Sequence, residues 1–117
     1  MLTIQNRRID PDIVVLELAG RLTLGRDAQH VEWQIADLVK GAEKKVILDL
    51  SQLDHIDSTG IGIVVACSGK LRQSGGELRL AGAKGLVAEV LKLTNVNSIV
   101  SMFDTADAAA QNFSRPA

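Results

Sequence analysis

The chain has 117 residues, a formal net charge of −1 and 46% hydrophobic residues, which is typical of one globular domain over residues 1–117. Aromatic residues make up 3% of the sequence and basic residues are not in excess, so nucleic-acid binding is disfavoured. Cys67 is the only cysteine, which excludes an intramolecular disulfide and a thiolate metal cluster. We expect a cytoplasmic protein, because the N-terminus lacks a signal-peptide pattern and no apolar run is long enough to cross a membrane.

The N-terminal part of the chain predicts a β-hairpin. Residues 2–9 alternate weakly between apolar and polar side chains, and residues 13–19 are rich in β-branched residues. Residues 10–12 have the composition of a turn, and Gly20 is expected to end the second strand. Residues 21–25 are predicted to form a loop that leads into the first helix.

Helical and extended patterns then alternate along the chain. A helix is predicted from about Arg26, with an apolar stripe at Ala28, Val31, Ile35, Leu38, Val39 and Ala42. Residues 46–50 are apolar except for Asp49 and partly β-branched, which predicts a buried central strand. A second helix is expected from about Ser58, capped by Ser58 or a neighbouring residue. Its inner stripe is expected at Ile61, Val64, Val65, Ser68 and Leu71, widened by Ile63, Ala66 and Cys67.

The C-terminal part continues this alternation. Residues 77–81 alternate cleanly and predict a strand, which a short helix follows. The inward residues of this helix are expected to be Leu86, Val87, Val90 and Leu91. Residues 98–103 predict a last strand, after which Asp104 or Thr105 caps a last helix. The inward residues of the last helix are expected to be Ala106, Ala109, Ala110 and Phe113.

The element order β-β-α-β-α-β-α-β-α predicts an α/β fold. Strands that alternate with helices pair in parallel, and the crossover helices pack against the sheet. The first strand breaks this alternation and is expected to add an antiparallel edge. The sequence therefore predicts a single mixed, mostly parallel sheet with about four helices.

The segment Asp57-Ser58-Thr59-Gly60 lies where the central strand gives way to the second helix. A hydroxyl at a helix N-terminus is well placed for phosphate chemistry, because the first backbone N–H groups there lack helical partners. A hydrolase of the α/β type needs a glycine two residues before its nucleophile, and Ile56 occupies that position. His55 and His30 are the two histidines, so a catalytic triad on Ser58 is disfavoured without being excluded.

Other catalytic and cofactor sites find little support in the sequence. The only Gly-Lys pair is Gly69-Lys70, which lacks the first glycine of a phosphate loop. A metal site would depend on Asp54, His55 and Asp57, and acids in a loop are usually solvated. Asp49 lacks the acidic pair expected of an aspartyl-phosphate receiver. We therefore expect a protein that is not an enzyme and that has no metal and no cofactor.

Ser58 is better explained as a residue that receives phosphate. A serine hydroxyl needs an outside base, which a partner kinase supplies. Phosphoserine carries about −1.5 to −2 charges at pH 7, and the adjacent Asp57 repels that charge. A partner that docks here only in the absence of phosphate makes the junction a switch. A simple helix cap is the alternative role for Ser58, and the two roles are compatible.

The sequence resembles the STAS domain family, specifically bacterial anti-sigma-factor antagonists (anti-anti-sigma factors). The resemblance is carried by residues 46–50 and by the segment from Asp57 to Gly62, together with residues 17–22 and 75–80. It spans nearly the whole chain, and the predicted element order agrees with it.

This resemblance implies a partner-switching role in transcription regulation, without catalytic activity. The unphosphorylated protein would bind an anti-sigma factor that is itself a serine kinase, and would free a sigma factor. Phosphorylation of Ser58 would loosen the complex, and a phosphatase would reset it. The motif residues implied to face the partner are Asp57, Ser58, Thr59, Gly60 and Ile61. We expect neither nucleic-acid nor membrane binding, and a monomer or weak homodimer.

The loop after residues 17–22 departs from the family pattern. Many members carry an acid at the position of Thr23, and the nearest acid here is Asp27. Thr23 is a candidate to bond with the partner instead. Two alternative functions stay open: a STAS subunit of another assembly, such as a stressosome-like or lipid-transport complex, and a small hydrolase.

Overall fold

The computed structural model describes residues 2–111 and 113, and it confirms the predicted order of elements. The strands and helices are β1 (Leu2–Ile9), β2 (Ile13–Leu22), α1 (Arg26–Lys40), β3 (Lys45–Ile56), α2 (Ser58–Gln73), β4 (Glu77–Ala81), α3 (Gly85–Leu93), β5 (Ser101–Phe103) and α4 (Ala106–Ala110). A short 3-10 helix, Val96–Ser98, lies between α3 and β5. Within the described residues, each helix is too short or too polar to span a membrane.

The strands form one sheet in the order β1-β2-β3-β4-β5. β1 pairs with β2 in antiparallel orientation, and the other neighbouring strands pair in parallel. The predicted α/β fold with an antiparallel edge strand is therefore confirmed. Because each parallel pair is consecutive along the chain, right-handed crossovers place α1, α2 and α3 on the same face of the sheet.

Apolar side chains are buried on both faces of the sheet, but the two clusters differ in size. The larger cluster joins alternate residues of the strands to α1, α2 and α3, and includes Leu16, Leu48, Val31, Ile35, Val64, Leu71, Val87 and Leu91. The smaller cluster, on the opposite face, consists of Ile13, Val15, Ile47, Ala81, Ala106, Ala109 and Phe113. The larger cluster holds α2 on the sheet and thereby fixes the position of its N-terminus.

β2 and β3 are both longer than the sequence predicted. β2 continues through Gly20 to Leu22, and β3 continues past its apolar run to Ile56. The two extensions pair with each other in a register that contains irregularities. The prediction was wrong because residues 51–55 are mostly polar and have the composition of a turn, although Leu53 among them is buried in the core.

Several predicted inward positions also differ from the structure. In α2, Ile63 and Cys67 are buried, whereas Ile61 and Val65 are only partly buried. Leu86 of α3 is 57% exposed rather than inward. The α2 sequence is apolar on more than one side, so its periodicity does not determine which side faces the sheet.

The last strand is shorter than predicted. β5 comprises Ser101–Phe103, because residues 96–98 form a 3-10 helix instead of continuing the extended segment. Thr105 caps α4, as predicted for Asp104 or Thr105, and its Oγ1 accepts a hydrogen bond from the N–H of Ala108 at 3.0 Å.

Candidate functional site

The candidate site is formed by the carboxyl ends of β2 and β3, which lie side by side. Leu22 at the end of β2 is paired with Ile56 at the end of β3. The backbone N–H of Asp57 donates a hydrogen bond to the carbonyl oxygen of Leu22 at 3.3 Å. The loop of residues 23–25 and the start of α2 therefore leave the sheet next to each other.

Asp57 is the N-cap of α2 and also holds the neighbouring loop. Its Oδ1 accepts a hydrogen bond from the N–H of Gly60 at 2.9 Å, and its Oδ2 accepts one from the N–H of Leu24 at 2.9 Å. These bonds, first from Gly60 and then from Leu24, lower the pKa of Asp57 from its usual value because they favour the carboxylate. Asp57 is thus ionised at neutral pH. The cap predicted for Ser58 or a neighbouring residue is therefore supplied by Asp57.

Ser58 is the first residue of α2 and is exposed. Capping of α2 does not require the Ser58 hydroxyl, because the carboxylate of Asp57 takes that role. The N-terminus of a helix favours negative charge, whereas the adjacent carboxylate opposes it. A phosphate on Ser58 would therefore meet one favourable and one unfavourable neighbour, and the phosphoacceptor role of Ser58 stays a prediction.

The other residues predicted to face a partner differ in exposure. Thr59 and Ile61 of α2, and Thr23 of the loop, are half-buried. Gly60 is buried, and a Cβ at this position would lie 2.3 Å from the carbonyl oxygen of Leu22. Gly60 therefore allows α2 to approach β2 closely.

Leu24 is a residue of this site that the sequence reasoning missed. Its side chain is 80% exposed, although its backbone N–H is bonded to Asp57. The next residue, Gly25, has a φ of +143°, a conformation that favours glycine. In the sequence, Leu24 is marked only by the glycine that follows it in a predicted loop. That pattern does not predict the hydrogen bond between the backbone N–H of Leu24 and Asp57.

The residues considered for catalysis or metal binding have other places in the fold. Asp54 and His55 are exposed residues of β3, and His55 is paired with Arg21 of β2. The Oδ1 of Asp49 accepts a hydrogen bond from the N–H of Ser51 at 3.0 Å, where the register of β3 with β2 becomes irregular. Among residues 2–111 and 113, no group of three or more His, Cys, Asp or Glu side chains is arranged to hold a metal ion.

Comparison with known proteins gives consistent matches. The STAS domain family matches residues 5–109. BtrV of Bordetella bronchiseptica is 37% identical to this chain over 87 residues, which cover 74% of this chain and 75% of BtrV. The role proposed for BtrV is that of an anti-sigma factor antagonist. The crystal structure of a Thermotoga maritima protein with the same proposed role matches with a TM-score of 0.86 and 28% identity, over 96% of this chain and 95% of that one. Unphosphorylated SpoIIAA of Bacillus has the same fold, with a TM-score of 0.72 and 21% identity over 92% of this chain and 94% of its own.

The chain therefore belongs to the STAS domain family. Within that family, its similarity is to proteins assigned as anti-sigma factor antagonists, which confirms the resemblance found in the sequence. The family and the fold are thus shown, whereas the roles of individual residues at the carboxyl ends of β2 and β3 stay predictions.

Proposed function

We propose that this protein is an anti-sigma factor antagonist that acts in the cytoplasm. Its unphosphorylated form binds an anti-sigma factor with serine kinase activity and thereby frees a sigma factor. The observation that carries the proposal is the exposed position of Ser58 at the first turn of α2, in a chain of this family. The protein itself has no catalytic role, because the chemistry belongs to the kinase and to a phosphatase.

Phosphorylation of Ser58 switches the complex off. The kinase transfers the γ-phosphoryl group of ATP to Oγ of Ser58 and releases ADP, while a base on the kinase accepts the hydroxyl proton. The product carries about −1.5 to −2 charges at pH 7 beside the ionised Asp57. A partner that covers the junction must remove the phosphate from water, and the repulsion between the phosphate and Asp57 grows as water is excluded, so the contact with the partner is weakened. Hydrolysis of the phosphoserine by the phosphatase restores binding.

The proposed contact surface surrounds Ser58 at the ends of β2 and β3. It comprises Thr23, Asp57, Ser58, Thr59, Gly60 and Ile61. Gly60 acts through the backbone, because it is buried against Leu22 and has no side chain to offer. The half-buried Thr59 and Ile61 present part of their side chains around the exposed hydroxyl.

Phosphorylation of the full chain by its kinase tests this proposal. Each serine-kinase anti-sigma factor of the source organism is purified and incubated with the chain and ATP, and the phosphate is located by mass spectrometry. We expect one phosphate, on Ser58. Ser58→Ala should abolish incorporation, and Ser98→Ala, at another exposed serine, should leave it unchanged.

Two results would contradict the proposal. Phosphate on a different residue would overturn the assignment of Ser58. If none of the kinases binds or phosphorylates the chain, the function as an antagonist of such kinases is wrong, and a STAS subunit of another assembly becomes the better explanation.

A further inference from the structure

Leu24 combines an exposed apolar side chain with a backbone that is held in place. The side chain is 80% exposed, and the N–H of the same residue donates to Oδ2 of Asp57 at 2.9 Å. On its other side, directly before α1 begins, Gly25 adopts a φ of +143°, a backbone conformation that residues with a side chain rarely adopt. The loop therefore presents Leu24 to solvent from a fixed position at the carboxyl edge of the sheet.

A side chain presented in this way is suited to bind an apolar pocket. Transfer of a leucine side chain from water into a pocket is favourable. A loop that is already ordered loses less conformational entropy on binding than a mobile loop does. Leu24 thus meets both requirements of a docking residue.

The position of Leu24 identifies the protein that would cover it. Asp57 holds the backbone of Leu24 and directly precedes Ser58, and consecutive Cα atoms are about 3.8 Å apart. A kinase that brings its active site to the Ser58 hydroxyl therefore lies next to the loop that carries Leu24. This proximity favours the same partner as the occupant of the Leu24 surface.

We propose that Leu24 is an apolar anchor for the serine-kinase anti-sigma factor, and that Asp57 is the positioning residue that holds Leu24 in its binding geometry. The inference rests on the proposed function, because it names a further contact of the same partner. It adds a residue outside the motif at residues 57–62 and gives the Asp57 carboxylate a second role besides capping α2.

The first test compares two exposed leucines. Leu24→Ser removes the proposed anchor, and Leu93→Ser is the matched control. Leu93 is 83% exposed and is the last residue of α3, at the end of that helix away from the carboxyl edge of the sheet. In calorimetric titrations with the purified kinase that binds the wild-type chain, we expect Leu24→Ser to raise the Kd about 10- to 100-fold. The Kd of Leu93→Ser should stay within about twofold of the wild-type value.

The second test separates positioning from capping. In Asp57→Asn, the side-chain oxygen still caps α2 at Gly60, but the amide group replaces the oxygen that accepts from Leu24. Hydrogen exchange measured by NMR on the free protein should show faster exchange of the Leu24 amide with the Gly60 amide still protected. If Asp57 acts through Leu24, the loss of affinity that Asp57→Asn causes should be smaller in the Leu24→Ser background than in the wild-type chain, although Asp57 also lies in the proposed contact surface.

The outcomes distinguish this inference from the proposed function. Equal Kd values for the wild-type chain and Leu24→Ser would overturn the anchor role while leaving the proposed function intact. Additive losses in the double variant, or unchanged exchange of the Leu24 amide in Asp57→Asn, would overturn the positioning role. Failure of the wild-type chain to bind any serine-kinase anti-sigma factor would overturn the proposed function and this inference with it.

Discussion

Gly60 in α2 lies so close to Leu22 in β2 that a Cβ on Gly60 would be 2.3 Å from the carbonyl oxygen of Leu22. The same Cβ would lie 2.8 Å from a side-chain carbon of Ile56. The Leu22 carbonyl also accepts the hydrogen bond from the N–H of Asp57, so the strand end is held from two directions. The first turn of α2, which carries Ser58, is therefore seated directly on the end of β2.

This contact predicts opposite effects for two glycines of the same helix. Gly60→Ala forces the backbone of α2 away from β2, and we expect it to lower the free energy of unfolding by about 1–3 kcal/mol. Gly62→Ala places its methyl group where no heavy atom lies within 4 Å, so the gain in helix propensity should raise the free energy of unfolding by about 0.5–1 kcal/mol. Urea unfolding measures both changes. Equal stability of the two variants would contradict the close packing at Gly60.

The sequence alone does not show which glycine near the start of α2 serves a close approach. Glycine is a poor helix former, so Gly60 and Gly62 both called for an explanation. The choice between them depends on how α2 is rotated on the sheet. That rotation is decided by packing between elements, and α2 is too uniformly apolar for its periodicity to reveal it.

Local patterns predicted the elements well, and long-range contacts account for the errors. β1 was predicted with the bounds found in the structure, because a turn marks its C-terminal end. The extension of β3 over residues 51–56 depends on pairing with β2, which no local pattern records. In the same way, the bond between Leu24 and Asp57 joins residues 33 apart in sequence, so the composition of either loop could not predict it.

The proposed switch predicts a difference between two substitutions of Ser58. Ser58→Ala adds no charge to the junction and should bind the kinase with an affinity within about threefold of the wild-type chain. Ser58→Asp places a second carboxylate beside the ionised Asp57 and should weaken binding at least about tenfold. Calorimetric titration at two salt concentrations tests this, because added salt should reduce the loss caused by a charge at an exposed position. Equal affinities of the two variants would refute the electrostatic mechanism.

Asp57 predicts a pH dependence of stability. Its pKa in the folded protein is lowered by the N–H groups of Gly60 and Leu24. The ionised carboxylate therefore stabilises the fold above the unfolded-state pKa of about 3.9, and this contribution is lost as pH falls through the lower folded-state pKa. Asp57→Asn removes the titration, so its deficit in unfolding free energy relative to the wild-type chain should be constant near neutral pH and shrink below about pH 4.

Urea unfolding across this pH range measures the deficit. Asp54→Asn, at an exposed position of β3, is the control and should follow the pH dependence of the wild-type chain. A deficit in Asp57→Asn that stays constant down to about pH 2 would show that the carboxylate gains nothing from its two hydrogen bonds.

Cys67 should be unreactive in the folded protein. It lies on the side of α2 that faces the core and is 1% exposed. Burial, with a smaller contribution from Glu32, raises the pKa of its thiol to about 12. Thiol reagents attack through the thiolate and need access, so labelling with Ellman's reagent at neutral pH should require unfolding. Gly60→Ala, which is expected to destabilise the fold, should accelerate labelling. Rapid stoichiometric labelling of the native wild-type chain would contradict the buried position.

Arg79 of β4 should fasten α4 to the sheet. Its guanidinium lies 4.1 Å from the ring centroid of Phe113 and 5.2 Å from that of Phe103, and its Nη1 donates to the carbonyl oxygen of Ala109 at 2.8 Å. Arg79→Lys keeps the charge but loses the planar stacking and the fixed donor, so we expect the free energy of unfolding to fall by about 1–2 kcal/mol. Amide hydrogen exchange in Arg79→Lys should become faster in α4 and stay unchanged in α1. Arg26→Lys, at the exposed first residue of α1, is the control and should change the free energy of unfolding by less than about 0.5 kcal/mol. Unchanged exchange in α4 of Arg79→Lys would mean that the apolar contacts of Ala109 and Phe113 alone hold this segment on the sheet.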